Sequence, residues 1–448
     1  MKHVVIIGNG ISGITTARHI RKNSDHRITV ISAESDYFYS RTALMYIYMG
    51  HMRLKETQPY ENWFWEKNRI GLKKAYVQRV DTDKKTLYLN NNETMDYDVL
   101  VLAVGSKPRK FGWPGVDSKG IQGLYSLQDL EMMEQNTQGI KNAVIVGGGL
   151  IGVEMAEMLQ TRNIHVTFLV REDWFWAGVM PEEEGALINR HMMDDHHVEL
   201  KLQTELKEII PDSSGRVQHI ITNHDEKIEC QFLGLTIGVQ PNMDFLKDSK
   251  IELNRGIVVN RFMETNIPDV YALGDCAEFS EPFPNRRPIE QVWYTGRMMG
   301  EALAQTICGN PTQYSPGIWF NSAKFFDIEY QTYGWVWNQL KEGEETFYWE
   351  HSNGKICLRL VYDQQSKRLL GINVFGMRLR HEVCDRWIRE ERSIDHVIAH
   401  LRDANFDPEF YKQHESAIVA AYNQQTGSNI QLKKRSWARI FNRKAQNV

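Results

Sequence analysis

Short apolar runs rich in β-branched residues punctuate the first two-thirds of the chain. The first, Val4-Val5-Ile6-Ile7, has no alternation, so it reads as a strand buried on both faces. A glycine turn and a helically spaced run over 14–20 follow it. The same alternation of strand, turn and helix predicts strands at 27–32, 97–104, 143–146, 165–171 and from 232 onward. Helices are expected through 150–159 and over 183–193, followed by a strand at 198–202. Residues 51–70, aromatic with mixed charge, read as a helix leading into a β-hairpin region near 73–95. The final third changes period. Runs such as Lys355-Ile356-Cys357-Leu358-Arg359-Leu360-Val361-Tyr362 alternate, so residues 314–370 predict an antiparallel sheet, with helices at 378–390, 394–402 and 408–424. The pattern is α/β, a doubly repeated strand–turn–helix device followed by an α+β region.

The turns give that pattern a chemical meaning. Gly8, Gly10 and Gly13 form G-x-G-x-x-G around Ile11 and Ser12, between a strand and a helix. Gly147, Gly149 and Gly152 repeat it around Leu150 and Ile151. In such a turn the first glycine permits the tight bend, the second lets a pyrophosphate approach the backbone, and the third lets helix sit on strand. The helix N-terminus then offers free N–H groups and a positive dipole end to the phosphates. One such turn is weak support; two, about 140 residues apart, imply two dinucleotides.

The residues after the second strand of each unit separate the two ligands. Glu34 stands slightly later than the usual position of an acid that holds the adenosine ribose hydroxyls. Arg41 follows in an aromatic loop, placed as a second clamp on the pyrophosphate. In the second unit Val170 takes the ribose position and Arg171 comes next. An arginine there accommodates a 2′-phosphate, so NADPH is favoured over NADH. Gly105, in Gly105-Ser106-Lys107-Pro108, ends a buried strand where the backbone can meet a ligand closely, and Gly238 mirrors it in Gly238-Val239-Gln240-Pro241.

Composition narrows the classes. A net charge of −4 over 448 residues provides no broad positive field, so no nucleic acid is expected as a partner. The 5 cysteines are widely spaced with no C-x-x-C, which suits reduced thiols in a cytoplasmic protein. No secretory signal is read before the first strand, and no apolar run is long enough to span a membrane. Asp194-Asp195-His196-His197 reads as a solvated turn, since no second ligand cluster has matching spacing, and no metal is expected. Trp174-Phe175-Trp176 reads as an aromatic loop that either covers an adenine or packs on a neighbouring helix.

The glycine turns at 8–13 and 147–154, the Gly-x-Pro segments at 102–108 and 238–242, and Thr265-Asn266-Ile267-Pro268-Asp269-Val270-Tyr271-Ala272-Leu273-Gly274-Asp275-Cys276-Ala277 come in a fixed order over roughly the first 310 residues. In that order they resemble the flavoproteins with two dinucleotide-binding domains, the FAD-dependent pyridine nucleotide oxidoreductases. The resemblance implies two Rossmann-like domains and an α+β C-terminal interface domain. FAD would occupy a discontinuous domain of residues 1–111 and 241–312, with Asp275 accepting a hydrogen bond from the ribitol and Gly274 beside the pyrophosphate. NAD(P)H would occupy 112–240, with Glu154 projecting to where nicotinamide meets flavin; the alternative for Glu154 is an acid favoured by the helix dipole. Residues 313–430 would cover the flavin and form a homodimer interface.

Many relatives carry a redox-active cysteine, single or paired, beside the flavin. Here Ala43 and Tyr46 stand where thiols would be needed, so the chain is most similar to the thiol-free ferredoxin and rubredoxin reductases and apoptosis-inducing factor. It departs from them at Arg41-Thr42-Ala43-Leu44, which lacks their lysine, and at Asn321, where a tryptophan is expected. The implied acceptor is a small ferredoxin- or rubredoxin-type protein, or a small molecule. Two rivals stay open: a quinone or oxygen reductase of the type II NADH dehydrogenase kind, and a slow redox-sensing interaction protein. The basic tail, 431–448, reads either as a solvated terminus or as a peripheral contact with anionic lipid or an acidic carrier.

Overall fold

The structure is a computed structural model that describes residues 1–406, 409 and 412–433. The chain forms two compact units: Met1–Arg171 with Gln203–Pro316, and Glu172–Leu202 with Gly317–Val448. No helix among the described residues is long and apolar enough to cross a membrane. The part of the basic tail from Lys434 on lies outside the described residues.

Two parallel sheets build the first unit. In one, the strands run in the order Val270–Ala272, Val99–Leu102, His3–Ile7, Arg27–Ser32 and Ile70–Lys74. Every pairing is parallel, and the central strand is buried on both faces, which its unbroken apolar run requires. In the other, His165–Leu169, Asn142–Val146, Phe232–Leu235 and Ile121–Gln122 lie side by side, again in parallel. A two-stranded antiparallel ribbon, Ser106–Pro108 with Val239–Pro241, pairs the two Gly-x-Pro segments.

Two expectations in this unit are corrected. Residues 51–70 hold no continuous helix, only a 3-10 turn Leu54–Thr57 and a short helix Trp63–Lys67. Pro59 lacks the N–H a helix interior needs, and Arg69 closes the segment at φ 52°. Residues 70–74 join the large parallel sheet, while the meander is built from Val77–Asp81, Thr86–Leu89 and Thr94–Asp96.

In the second unit a five-stranded antiparallel sheet has the order Phe320–Phe325, Ile328–Gly334, Leu369–Phe375, Cys357–Asp363, Glu344–Glu350. Helices His381–Arg389, Ile394–Ala399 and Glu415–Thr426 supply its apolar partners Trp387, Val397 and Ile418. The 394–402 helix is broken at His400, and the last helix starts at Glu415. Residues 172–202, which the resemblance places in the 112–240 domain, group with this unit. Phe175 explains why: it is fully buried, edge-on to Phe325 at 5.8 Å, so the aromatic loop packs rather than projects. Glu184 is equally buried, held by Arg359 Nε at 3.1 Å and Asn373 Nδ2 at 3.0 Å. Burial pushes its carboxyl up to about 7, a rise that Arg359 and Asn373 only partly offset.

Candidate functional site

The two glycine turns use their glycines alike. Gly8 has φ +112°, and a Cβ there would lie 2.1 Å from the Ala103 carbonyl oxygen. Gly147 has φ +115°, with the Thr236 carbonyl oxygen 2.7 Å from where its Cβ would be. Only glycine satisfies both the dihedral and the contact. The third glycines are fixed by packing: a Cβ on Gly13 would meet the Gly8 oxygen at 2.1 Å, and one on Gly152 would meet Phe168 at 2.6 Å. The middle glycines differ. A Cβ on Gly10 or Gly149 would find nothing of the protein within 4 Å. What the fold keeps clear there is room beside the backbone, the shape a pyrophosphate cradle needs.

The helices behind the turns are prepared for an anion. Ile11–Asn23 is capped by Gly10 and Leu150–Gln160 by Gly149, in both cases without a side-chain hydrogen bond and without an acid in the first turn. Their leading N–H groups and dipole ends are thereby left for a ligand. Ser12 packs the first helix onto later segments. Its Oγ lies 2.4 Å from where a Cβ of Gly274 would be and 2.5 Å from that of Gly296, and Gly274, at φ +75°, also adopts a backbone conformation that favours glycine.

A cavity of about 690 Å³ opens at the first turn. It is lined by Gly8, Gly10, Ser12, Glu34, Arg41, Gly105 and Asp275, and also by Leu150, Ile151 and Glu154 from the second turn and its helix. Glu34 and Arg41 meet in a two-pronged ion pair, with Arg41 Nη1 and Nη2 at 2.9 and 2.6 Å from the carboxylate oxygens. The Tyr39 hydroxyl and the Leu127 N–H also donate to Glu34. Burial pushes the Glu34 carboxyl up, but Arg41, Tyr39 and Leu127 outweigh it and hold it below its ordinary range. The acid and the arginine thus form one paired charge at the cavity wall rather than two separate clamps.

Asp275 accepts a hydrogen bond from the Tyr125 hydroxyl at 3.1 Å, and burial pushes its carboxyl up. Among the described residues no cation is paired with Glu154. Burial, then the neighbouring Glu157, raises its carboxyl to about 7. Gly147, Gly149, Gly152, Gly238 and Arg171 do not line this cavity. Arg171 is exposed just past the end of the strand His165–Leu169, and Gly238, at φ +96°, has open space where a Cβ would be.

Tyr125 was not legible as a site residue. Its hydroxyl accepts from the Ser106 N–H at 2.9 Å, its carbonyl accepts from Arg41 Nη1 at 2.5 Å, and its ring lies 4.4 Å from the Arg41 guanidinium carbon. The available signal was its place just before Ser126, the N-cap of a helix closed by a Ser126/Asp129 capping box. Gln291, which donates to Ser106 Oγ at 2.9 Å, was also missed.

The family model for pyridine nucleotide-disulphide oxidoreductases matches residues 2–300. The chain belongs to this family. The chain is 30% identical over 341 residues to a ferredoxin–NAD(P)(+) reductase of a Sphingomonas species, covering 74% of the chain and 80% of that protein. It is 27% identical over 384 residues to an NAD(P)H nitrite reductase of Bacillus subtilis. That match covers 84% of the chain but 46% of the relative, so the chain spans about half the length of that protein. Among solved structures, an NAD-dependent persulfide reductase from A. fulgidus superposes with a TM-score of 0.81 at 22% identity, over 95% of this chain and 84% of that one. The last likeness establishes the fold: mixed α/β with parallel Rossmann-like sheets.

Proposed function

We propose that this protein is an FAD-dependent NAD(P)H oxidoreductase that passes electrons to a small ferredoxin- or rubredoxin-type carrier without a redox-active disulfide. One observation carries the reading: a single cavity gathers the first glycine turn, the Glu34–Arg41 pair and Asp275 together with Glu154 from the second turn's helix. When bound, FAD would supply the redox chemistry that links a hydride donor to an electron acceptor.

The chain's own residues bind and orient. Gly10 and the uncapped helix behind it receive the FAD pyrophosphate, with Ser12, Gly13 and Gly274 keeping the helix close. Asp275, fixed by Tyr125, accepts from a ribitol hydroxyl. Glu34 is spanned by Arg41, and the pair offers carboxylate oxygen to ribose hydroxyls and guanidinium to phosphate. Gly149, with Leu150 and Ile151, receives the coenzyme pyrophosphate, and the Glu154 carboxyl faces the nicotinamide end. Gly105 and Gly238 keep the two ribbon-forming segments slender beside the ligands.

The thiol-free reading is supported by the cysteines. None lines the cavity. Cys276, next to Asp275, is buried with its S–H toward the Leu102 and Leu273 carbonyls, and burial pushes the thiol up to about 12. A thiol in that state is a poor nucleophile. The carrier reading draws on the Sphingomonas relative, whose name couples ferredoxin to NAD(P).

Arg171 favours NADPH through its charge beside the coenzyme ribose. The test is steady-state turnover with NADPH and NADH against a ferredoxin, a rubredoxin, a soluble quinone and dioxygen. Carrier reduction faster than the other two by about tenfold, with an NADPH preference that Arg171→Ala lowers about tenfold, is expected. Quinone or dioxygen turnover exceeding that of the carriers would overturn the acceptor assignment. An unchanged coenzyme ratio in Arg171→Ala would overturn the NADPH assignment.

A further inference from the structure

We propose that His191, His196 and Asp327 form a binding site for a divalent transition cation of the zinc class. All three belong to the unit of Glu172–Leu202 and Gly317–Val448, and none lines the cavity described above. The chain pattern spoke against a metal here because the acid and histidine run 194–197 has no partner cluster in sequence. The fold supplies one. Asp327 comes from 131 residues beyond His196, and the other ligand, His191, precedes the run.

A π-helical turn, His191–Asp195, brings the two histidines together. Its larger number of residues per turn puts residues i and i+5 near one face, where an α-helix would turn them apart, and such turns concentrate at functional sites. His191 Nε2 lies 3.2 Å from His196 Nε2 and 2.6 Å from Asp327 Oδ1, and His196 Nε2 lies 3.1 Å from the same oxygen. Zinc bonds of about 2.0–2.2 Å in a tetrahedron set ligand atoms roughly 3.3–3.6 Å apart. Two edges of this triangle are close to that spacing. The third has the length of the hydrogen bond that an ion would replace.

The surroundings fit a cation better than a hydrogen-bonded cluster. Two imidazole nitrogens face each other while sharing one carboxylate oxygen, so N–H groups would have to crowd onto a single acceptor. A cation takes the lone pairs of all three atoms. His191 then donates from Nδ1 to Asp195 Oδ2, 2.7 Å away, the carboxylate–histidine–metal arrangement that fixes a ligand's tautomer. Asp195 is itself held by Lys355 Nζ at 3.0 Å. His191 is buried, while the Asp327 side chain is 63% exposed, leaving solvent to fill a fourth position.

The hairpin turn is shaped to the same end. Phe326 adopts φ 54°, a left-handed conformation unfavourable for a bulky side chain. Its ring stacks on His196 at 4.0 Å and 18°. Two imidazoles and one carboxylate select zinc-like ions over magnesium or calcium, which take oxygen ligands. Bound there, the ion ties the helix Glu182–Arg190 and its π-turn to the hairpin joining Phe320–Phe325 and Ile328–Gly334.

The test uses untagged full-length protein, stripped with EDTA and titrated with Zn2+ against a chromophoric indicator. One Zn2+ per chain is expected. Binding should weaken at least about 100-fold in His196→Ala and in Asp327→Asn, and about 10–100-fold in Asp195→Asn. Two further readouts use the wild-type chain alone, should a variant fail to fold. Zn2+ should raise its melting temperature where Mg2+ does not, and Co2+ should give the intense visible bands of a four-coordinate ion. Equal Zn2+ binding by wild type and folded variants, no stoichiometric binding by wild type, or the weak bands of six-coordinate Co2+ would each overturn the proposal.

Discussion

Glu154 shows how one side chain converts burial into a pH-dependent property. Its carboxyl rises from an ordinary 4.5 to about 7 because burial disfavours the charge and Glu157 adds repulsion. Between those values the folded chain holds a proton that the unfolded chain has released. This contribution to stability therefore falls as pH rises through that window, by on the order of 3 kcal/mol at most. Glu154→Gln should remove that fall, so the variant gains in melting temperature over wild type at pH 8 and little at pH 4.5. In the same variant the rate of flavin reduction by NAD(P)H should lose an inflection near pH 7. Parallel melting profiles and an unchanged rate profile would show that the carboxyl titrates normally. Spacing from the first glycine turn points to Glu34, its loop to Arg41 and resemblance to Asp275, and the fold brings all three to the wall of one cavity. Tyr125 was not, because its contacts reach Ser106, Arg41 and Asp275 from a separate loop.

At the scale of elements, the glycines of one turn divide into those that shape the chain and those that clear space for a ligand. Gly149→Ala places its methyl where, beyond its own chain neighbours, no described residue has an atom within 4 Å, whereas Gly13→Ala drives one into the Gly8 carbonyl oxygen at 2.1 Å. The first variant should fold with a normal melting temperature, retain flavin and show a KM for NAD(P)H raised about tenfold or more. The second should be destabilised by about 1–3 kcal/mol or fail to accumulate. Wild-type KM in Gly149→Ala would contradict the cradle reading. Buried parallel strands were legible because a run without polar positions leaves no solvent face. The 51–70 segment was misread because its aromatic residues suit a helix and a packed loop alike, although Pro59 argued against a continuous helix; contacts among Tyr60, Phe64 and Trp65 hold the packed form. The π-turn at 191–195 has no periodic signature, so the meeting of His191 with His196 was not readable either.

Over the whole molecule, repetition made the fold legible: two strand–glycine–helix devices in one chain, followed by an alternating region. The assignment of residues 172–202 to the second unit was hidden, since it rests on Phe175 packing against Phe325 and on Glu184 pairing with Arg359, partners far apart in sequence. The central claim is that one polypeptide holds a flavin and a nicotinamide coenzyme for hydride transfer. Anaerobic addition of NADPH to the purified, FAD-loaded full chain tests it most directly, followed by absorbance in the flavin band. The account predicts stoichiometric bound flavin that bleaches on mixing, with oxidation of an equal amount of coenzyme. Protein that takes up no FAD, or bound flavin that stays oxidised with both NADPH and NADH, would contradict it.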